Sequence, residues 1–138
     1  MSQPMVIFTR SFDFVSWLIP RTMDFPRSQR FVVTRRLQDA ALDFYERIIE
    51  ANNCRGEARL EKQHQADAAL DKVRLYLRLV TRWGWLTEGQ YQHAAGMVSE
   101  LGQLLGGWIQ QTMRALGQPE GRSVAGAGPE GARGRVQQ

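Results

Sequence analysis

The 138-residue sequence contains a single cysteine, Cys54, and two histidines, His64 and His93. One thiol cannot close an intrachain disulfide, and one cysteine with two histidines is too little for a zinc site. No run of 18 or more apolar residues occurs, which excludes a transmembrane helix. The apolar stretch within residues 1–10 is too short for a secretory signal, and no basic segment precedes it, so a cytoplasmic protein is expected. Lysine is nearly missing too: all but Lys62 and Lys72 of the 18 basic residues are arginine.

The scarcity of lysine has two readings. Arginine is a planar, bidentate ligand for phosphate and stacks on bases, whereas lysine usually serves solubility. A genome rich in arginine codons produces the same bias. The net charge of +4 alone points only weakly to a nucleic acid or an acidic surface. Placement is more informative. Arg21, Arg27, Arg30, Arg35 and Arg36 fall in one short segment opposed by Asp24 alone, and Lys72, Arg74, Arg78 and Arg82 follow in another with no acid among them.

Catalytic constellations are also missing. The carboxylate pairs Asp39/Asp43 and Asp67/Asp71 lie beside arginines on polar helix faces and read as solvated surface. His64 and His93 have no acidic or cysteine neighbour at ligand spacing. There is no Gly-x-Ser-x-Gly, no glycine-rich phosphate loop after a strand, and no helix-borne Glu-x-x-His of the di-iron type. These absences lead us to expect a protein that is not an enzyme and needs neither cofactor nor metal. Trp83, Trp85 and Trp108 have two readings, as stacking platforms for bases or as core.

What is present is helical periodicity. Segments of about 6–23, 27–53, 57–83 and 88–116 carry it, with no alternating strand pattern, and short turns join them. The first places Phe8, Phe12, Val15, Leu18 and Ile19 on one face, with Pro20 ending or kinking it. In the second, Leu37, Ala41, Phe44, Tyr45, Ile48 and Ile49 oppose a polar face that is basic early and acidic late, against the preference of the helix dipole. Asn52–Gly56 reads as a turn, Gly84 as a C-cap, and Thr87 with Gln90 as a capping box. The fourth repeats Tyr91, Ala94, Val98, Leu101, Leu105, Trp108 and Ile109. The fold class is therefore all-α, an up-down antiparallel four-helix bundle over residues 1–116. The Gly/Pro-rich tail, 117–138, holds too little apolar surface to order itself.

The third segment contains the most informative pattern. Arg74, Arg78 and Arg82 stand at i, i+4 and i+8, a column of like charge that destabilises an isolated helix by roughly 0.2–0.5 kcal/mol per pair. Asp71 is the sole local relief. Its seam of Leu70, Val73, Leu77 and Val80 is widened by Leu75 and Leu79 to an apolar arc of roughly 200°, where a monomer needs nearer 100°. That excess implies a second buried contact, as in an assembly. Gly96, Gly102, Gly106 and Gly107 inside the fourth helix imply either close approach of another backbone or a local distortion at Gly106-Gly107.

The runs Leu18-Ile-Pro-Arg21, Phe25-Pro-Arg-Ser-Gln-Arg-Phe31, Asp67-Ala-Ala-Leu-Asp-Lys-Val-Arg-Leu-Tyr-Leu-Arg78 and Glu100-Leu-Gly-Gln-Leu-Leu-Gly-Gly-Trp-Ile109 resemble the accessory variability determinant (Avd) proteins of diversity-generating retroelements. The resemblance spans about residues 8–112. The run Phe25–Arg30 is also similar to the four-helix proteins encoded in intervening sequences of bacterial ribosomal RNA genes. The Avd resemblance implies a basic, barrel-like ring, a homopentamer. It implies binding of template RNA or cDNA and of the element's reverse transcriptase during mutagenic retrohoming. It carries over Arg27, Arg30, Arg74 and Arg78 as residues for nucleic acid or polymerase; Arg35, Arg36 and Arg82 join them on charge placement. The alternative, on the intervening-sequence resemblance, is a structural interaction protein whose arginines pair with Asp39, Asp43 or Glu46 of a neighbouring subunit.

Overall fold

The computed structural model describes residues 2–117, with side chains from residue 6 onward. Four helices make it up: α1 (Ser2–Thr22), α2 (Arg35–Asn52), α3 (Gly56–Arg82) and α4 (Glu88–Gly117). No strand occurs among the described residues, and none of their helices is long and apolar enough to cross a membrane. The expected tail lies outside the described residues, except that Gly117 closes α4.

The helices alternate in direction. Phe8 meets Trp108 edge-on at 6.0 Å, Arg10 bonds Glu100 at 2.9 Å and Trp17 packs on His93 at 4.9 Å, which sets α1 antiparallel to α4. The Gln38 amide donates to the Thr22 hydroxyl at 2.7 Å, joining the end of α1 to the start of α2. Phe25 and Trp85, in the two turns at that end, stack at 5.4 Å. The result is the expected up-down antiparallel bundle, with its core formed by Leu18, Phe44, Leu70, Leu77, Leu101, Leu105 and Trp108 among others. Each such side chain, fully withdrawn from water, contributes about 1.5–3 kcal/mol before the entropy of ordering.

The buried face of α1 differs from the expected one. Ile7, Ser11, Phe14 and Leu18 face the core, while Phe12 is 58% exposed and Phe8, Val15 and Ile19 are half-buried. The core stripe passes through a serine, so a purely apolar pattern favours the wrong edge. Pro20 does not end α1, which continues two residues to Thr22. Pro20 lacks the N–H that would bond the Ser16 carbonyl, so α1 gives up one hydrogen bond there and stops within the same turn.

The expected start of the second helix at Arg27 is likewise corrected. Arg27–Gln29 is a 3-10 turn and Arg30–Thr34 a single π turn, and regular α-helix begins at Arg35. On α2, Ile49 is exposed rather than buried, and Ala40 and Ala51 complete the core face.

The turn chemistry follows the sequence closely. Gly84 has φ +82°, its N–H donates to the Thr81 carbonyl at 3.0 Å, and the Trp85 N–H reaches back to Val80 at 2.8 Å. This pair of bonds is the glycine-terminated helix stop that satisfies otherwise free carbonyls. The Thr87 hydroxyl accepts from the Gln90 N–H at 3.0 Å, and the Gln90 side chain accepts from the Thr87 N–H at 2.9 Å, the reciprocal capping box. One cap was not foreseen. The Arg59 Nε donates to the carbonyls of Ala51 and Cys54 at 3.0 and 2.9 Å, closing the end of α2 from the first turn of α3.

A candidate nucleic-acid interface

The two turns at the Phe25/Trp85 end gather most of the arginines singled out from the sequence. Arg27 and Arg30 line a groove at the α1–α2 break with Thr22, Phe25, Thr34 and Gln38. Arg35 and Arg36 follow in the first turn of α2, and Arg82 is the last residue of α3, at the same end. Arg35 reaches Asp39 at 3.5 Å. Arg27, Arg30, Arg36, Arg78 and Arg82 have no ion-pair partner among the described residues.

Arg74 and Arg78 sit two turns and one turn back along α3, on the wall of a second groove, between α3 and α4. That groove has a volume of about 440 Å³, a floor of Leu77, Ala95 and Val98, and a rim that includes Tyr91, Ser99 and Gln103. Arg74 is held. Its Nη1 bonds Asp71 at 2.6 Å, and its Nη2 rests over Gly102, where a Cβ would lie 2.6 Å away. The expected backbone approach at the α4 glycines is therefore, at Gly102, the approach of a guanidinium. Gly96 and Gly106 face open space within this chain.

The column of arginines is thus real as a helical register but divided in use. Arg74 and Arg78 share one groove, Arg27 and Arg30 share another, and Arg35, Arg36 and Arg82 line neither. Arg82 also lies in the last turn of α3, where a cation favours the helix dipole whatever else it does. Sequence reasoning missed Ser99 and Gln103, and singled out Gly102 only as a helix-interior glycine. The available signal was the spacing of small residues at 95, 99 and 102, which opens the α3–α4 seam on one side.

Charge is spent differently at the far end of the bundle. Glu50 accepts from Arg47 at 2.8 and 3.0 Å and pairs with Lys62 at 3.0 Å. The Arg47 hydrogen bond, followed by that from Lys62, holds the Glu50 carboxyl below its ordinary value, and the same bond raises Arg47. Glu46 and Glu50 of α2 are therefore balanced internally by Arg47 and Lys62. Of the tryptophans, Trp108 is core, Trp85 packs on Phe25, and Trp83 is half-exposed against Trp85 at 5.2 Å.

Four antiparallel helices with arginine-lined grooves along their seams define a small basic helical bundle. A family model described as bAvd-like matches residues 5–112, and the chain belongs to that family of Avd-type accessory proteins. The fold is similar to the crystal structure of a protein of unknown function from the S23 ribosomal protein family of Bacteroides thetaiotaomicron. The TM-score is 0.72 and the identity 19%, over 78% of this chain and 98% of that one. A search of curated proteins finds no match.

Proposed function

We propose that this chain is a non-catalytic accessory protein of a diversity-generating retroelement, binding template RNA or cDNA and the element's reverse transcriptase to support mutagenic cDNA synthesis. Membership of the bAvd-like family supports the system. The observation that carries the binding role is that Arg27, Arg30, Arg36, Arg78 and Arg82 have no ion-pair partner among the described residues, and a polyanion would neutralise them. Arg35 and Arg74, already paired with Asp39 and Asp71, add charge from fixed positions. A homopentameric ring would repeat these surfaces. Exposed Phe12, Leu42 and Ile49 on α1 and α2, with Leu75 on α3, supply apolar area for subunit contacts.

A second reading has its own observation. Leu75 is 50% exposed on α3 between Arg74 and Arg78. An apolar residue flanked by arginines suits a subunit interface in which Asp43, unpaired among the described residues, receives a neighbour's arginine. The two readings separate by co-expression with the reverse transcriptase of the same retroelement. Co-purification of polymerase and template RNA, released by salt, supports the first. A protein that assembles normally, captures neither, and falls apart on Arg78→Glu supports the second.

A further inference from the structure

The turn end of the bundle exposes apolar side chains that its own packing leaves out. Phe31 and Met23, 75% and 70% exposed, are the two most exposed large apolar residues among those described, and Val32 and Trp83 are about half exposed. The four belong to one surface. Met23 lines the α1–α2 groove with Phe25, Arg27 and Arg30, the Arg30 guanidinium lies 5.7 Å from the centre of the Phe31 ring, and Phe25 leads through Trp85 to Trp83. Within the π turn, Thr34 is buried with no partner for its hydroxyl while Phe31 and Val32 are exposed. Hiding a hydroxyl and wetting a phenyl ring both work against folding, so the arrangement points to a contact outside this subunit.

Charge and side-chain type restrict what covers it. Arg27 and Arg30 line the groove, Arg36 follows in the first turn of α2 and Arg82 precedes Trp83. None of these has an ion-pair partner among the described residues, and Asp24 is the one acid between Arg21 and Arg36. A second copy offering the same face would set arginine against arginine, which opposes association. Nucleic acid would neutralise the arginines and stack on Phe31 and Trp83, but Met23 and Val32 offer it no ring. A protein segment uses the whole surface: apolar side chains cover Met23, Phe31, Val32 and Trp83, and carboxylates pair with the surrounding arginines. Phenylalanine, methionine, tryptophan and arginine are the residue types enriched at such interfaces. We infer that the turn end is a protein-docking face for an acidic segment that carries apolar side chains. This rests on the polymerase-binding part of the reading above and locates that contact here, leaving Arg74 and Arg78 on α3 to nucleic acid.

Removing apolar surface without altering charge tests this. Full-length Phe31→Ser/Val32→Ser, at two exposed positions, would be titrated against nuclease-treated reverse transcriptase of the same retroelement and, separately, against a labelled oligouridine. The expected result is a loss of about tenfold or more in polymerase affinity, with oligouridine affinity within about twofold and the assembly mass unchanged. Met23→Glu and Met23→Lys read the sign of the partner and keep the test open should the double variant not fold. Both delete the methionine, and the glutamate should weaken polymerase binding several times more than the lysine. Equal losses in these two overturn the acidic partner. Unchanged polymerase affinity in the double variant, beside a wild type that binds the polymerase, overturns the docking face and leaves the broader reading intact. A fall in oligouridine affinity with polymerase binding unchanged gives the face to nucleic acid, a fall in assembly mass gives it to another subunit, and either overturns the inference. A wild type that does not bind the polymerase overturns both the inference and the polymerase part of the broader reading.

Discussion

Arg74 points the Nη2 end of its guanidinium at the backbone of α4 because Gly102 has no side chain, with Nη2 2.6 Å from where a Cβ would stand. A helix-interior glycine costs roughly 0.8–1 kcal/mol against alanine, so this contact is maintained against stability. Gly102→Ala should therefore leave the thermal midpoint unchanged or raise it, while weakening RNA binding. A large fall in the midpoint would show that the Arg74–Asp71 pair carries more of the fold than an exposed ion pair normally does.

Gly96 gives the opposite contrast. It faces open space in this chain, so Gly96→Ala should stabilise the folded subunit by about 0.8–1 kcal/mol in urea unfolding. A loss of assembly mass in that variant would instead place another subunit's backbone against Gly96. Gly84→Ala, at φ +82°, should cost about 1–2 kcal/mol, since an L side chain is strained there.

The turns and most of the core were legible in the sequence because their signals are local. Thr87 and Gln90 cap a helix through residues three apart, and Gly84 needs only its own φ. The buried face of α1 was harder to read because Ser11 interrupts it, leaving Phe12 to stand in for a core residue. The groove was not legible at all. It depends on which side of α4 meets α3, and a stripe at residues 95, 99 and 102 has no partner until the helices are placed. The arginines were found as a set, but their division into two grooves is a tertiary property.

Gln63 is fully buried in α3, and both polar atoms of its side chain lack a protein partner. Replacing a buried amide that makes no hydrogen bond by an apolar side chain of similar volume removes a desolvation cost of about 1–3 kcal/mol. Gln63→Leu should be neutral or stabilising by up to about that amount. A destabilisation in chemical denaturation would show that the amide is satisfied by a bound group.

Acid should weaken the far end of the bundle through Glu50. The Glu50 carboxyl is lowered in the folded state by Arg47 and Lys62, so its contribution is present above the ordinary carboxylate value of 4.5 and is lost as pH falls through the folded value. The thermal midpoint should drop as pH is taken below about 4.5, and Glu50→Gln should lower it at neutral pH while flattening this decline. Parallel curves for the two proteins would mean that Glu50 plays no part.

The salt dependence of RNA affinity tests the binding role most directly. For single strands the logarithm of affinity falls with the logarithm of salt at about 0.7 per phosphate neutralised, so the double variant Arg74→Gln/Arg78→Gln should bind more weakly with a slope shallower by about 1.4. Unchanged affinity and slope in that variant would contradict the placement of nucleic acid on α3.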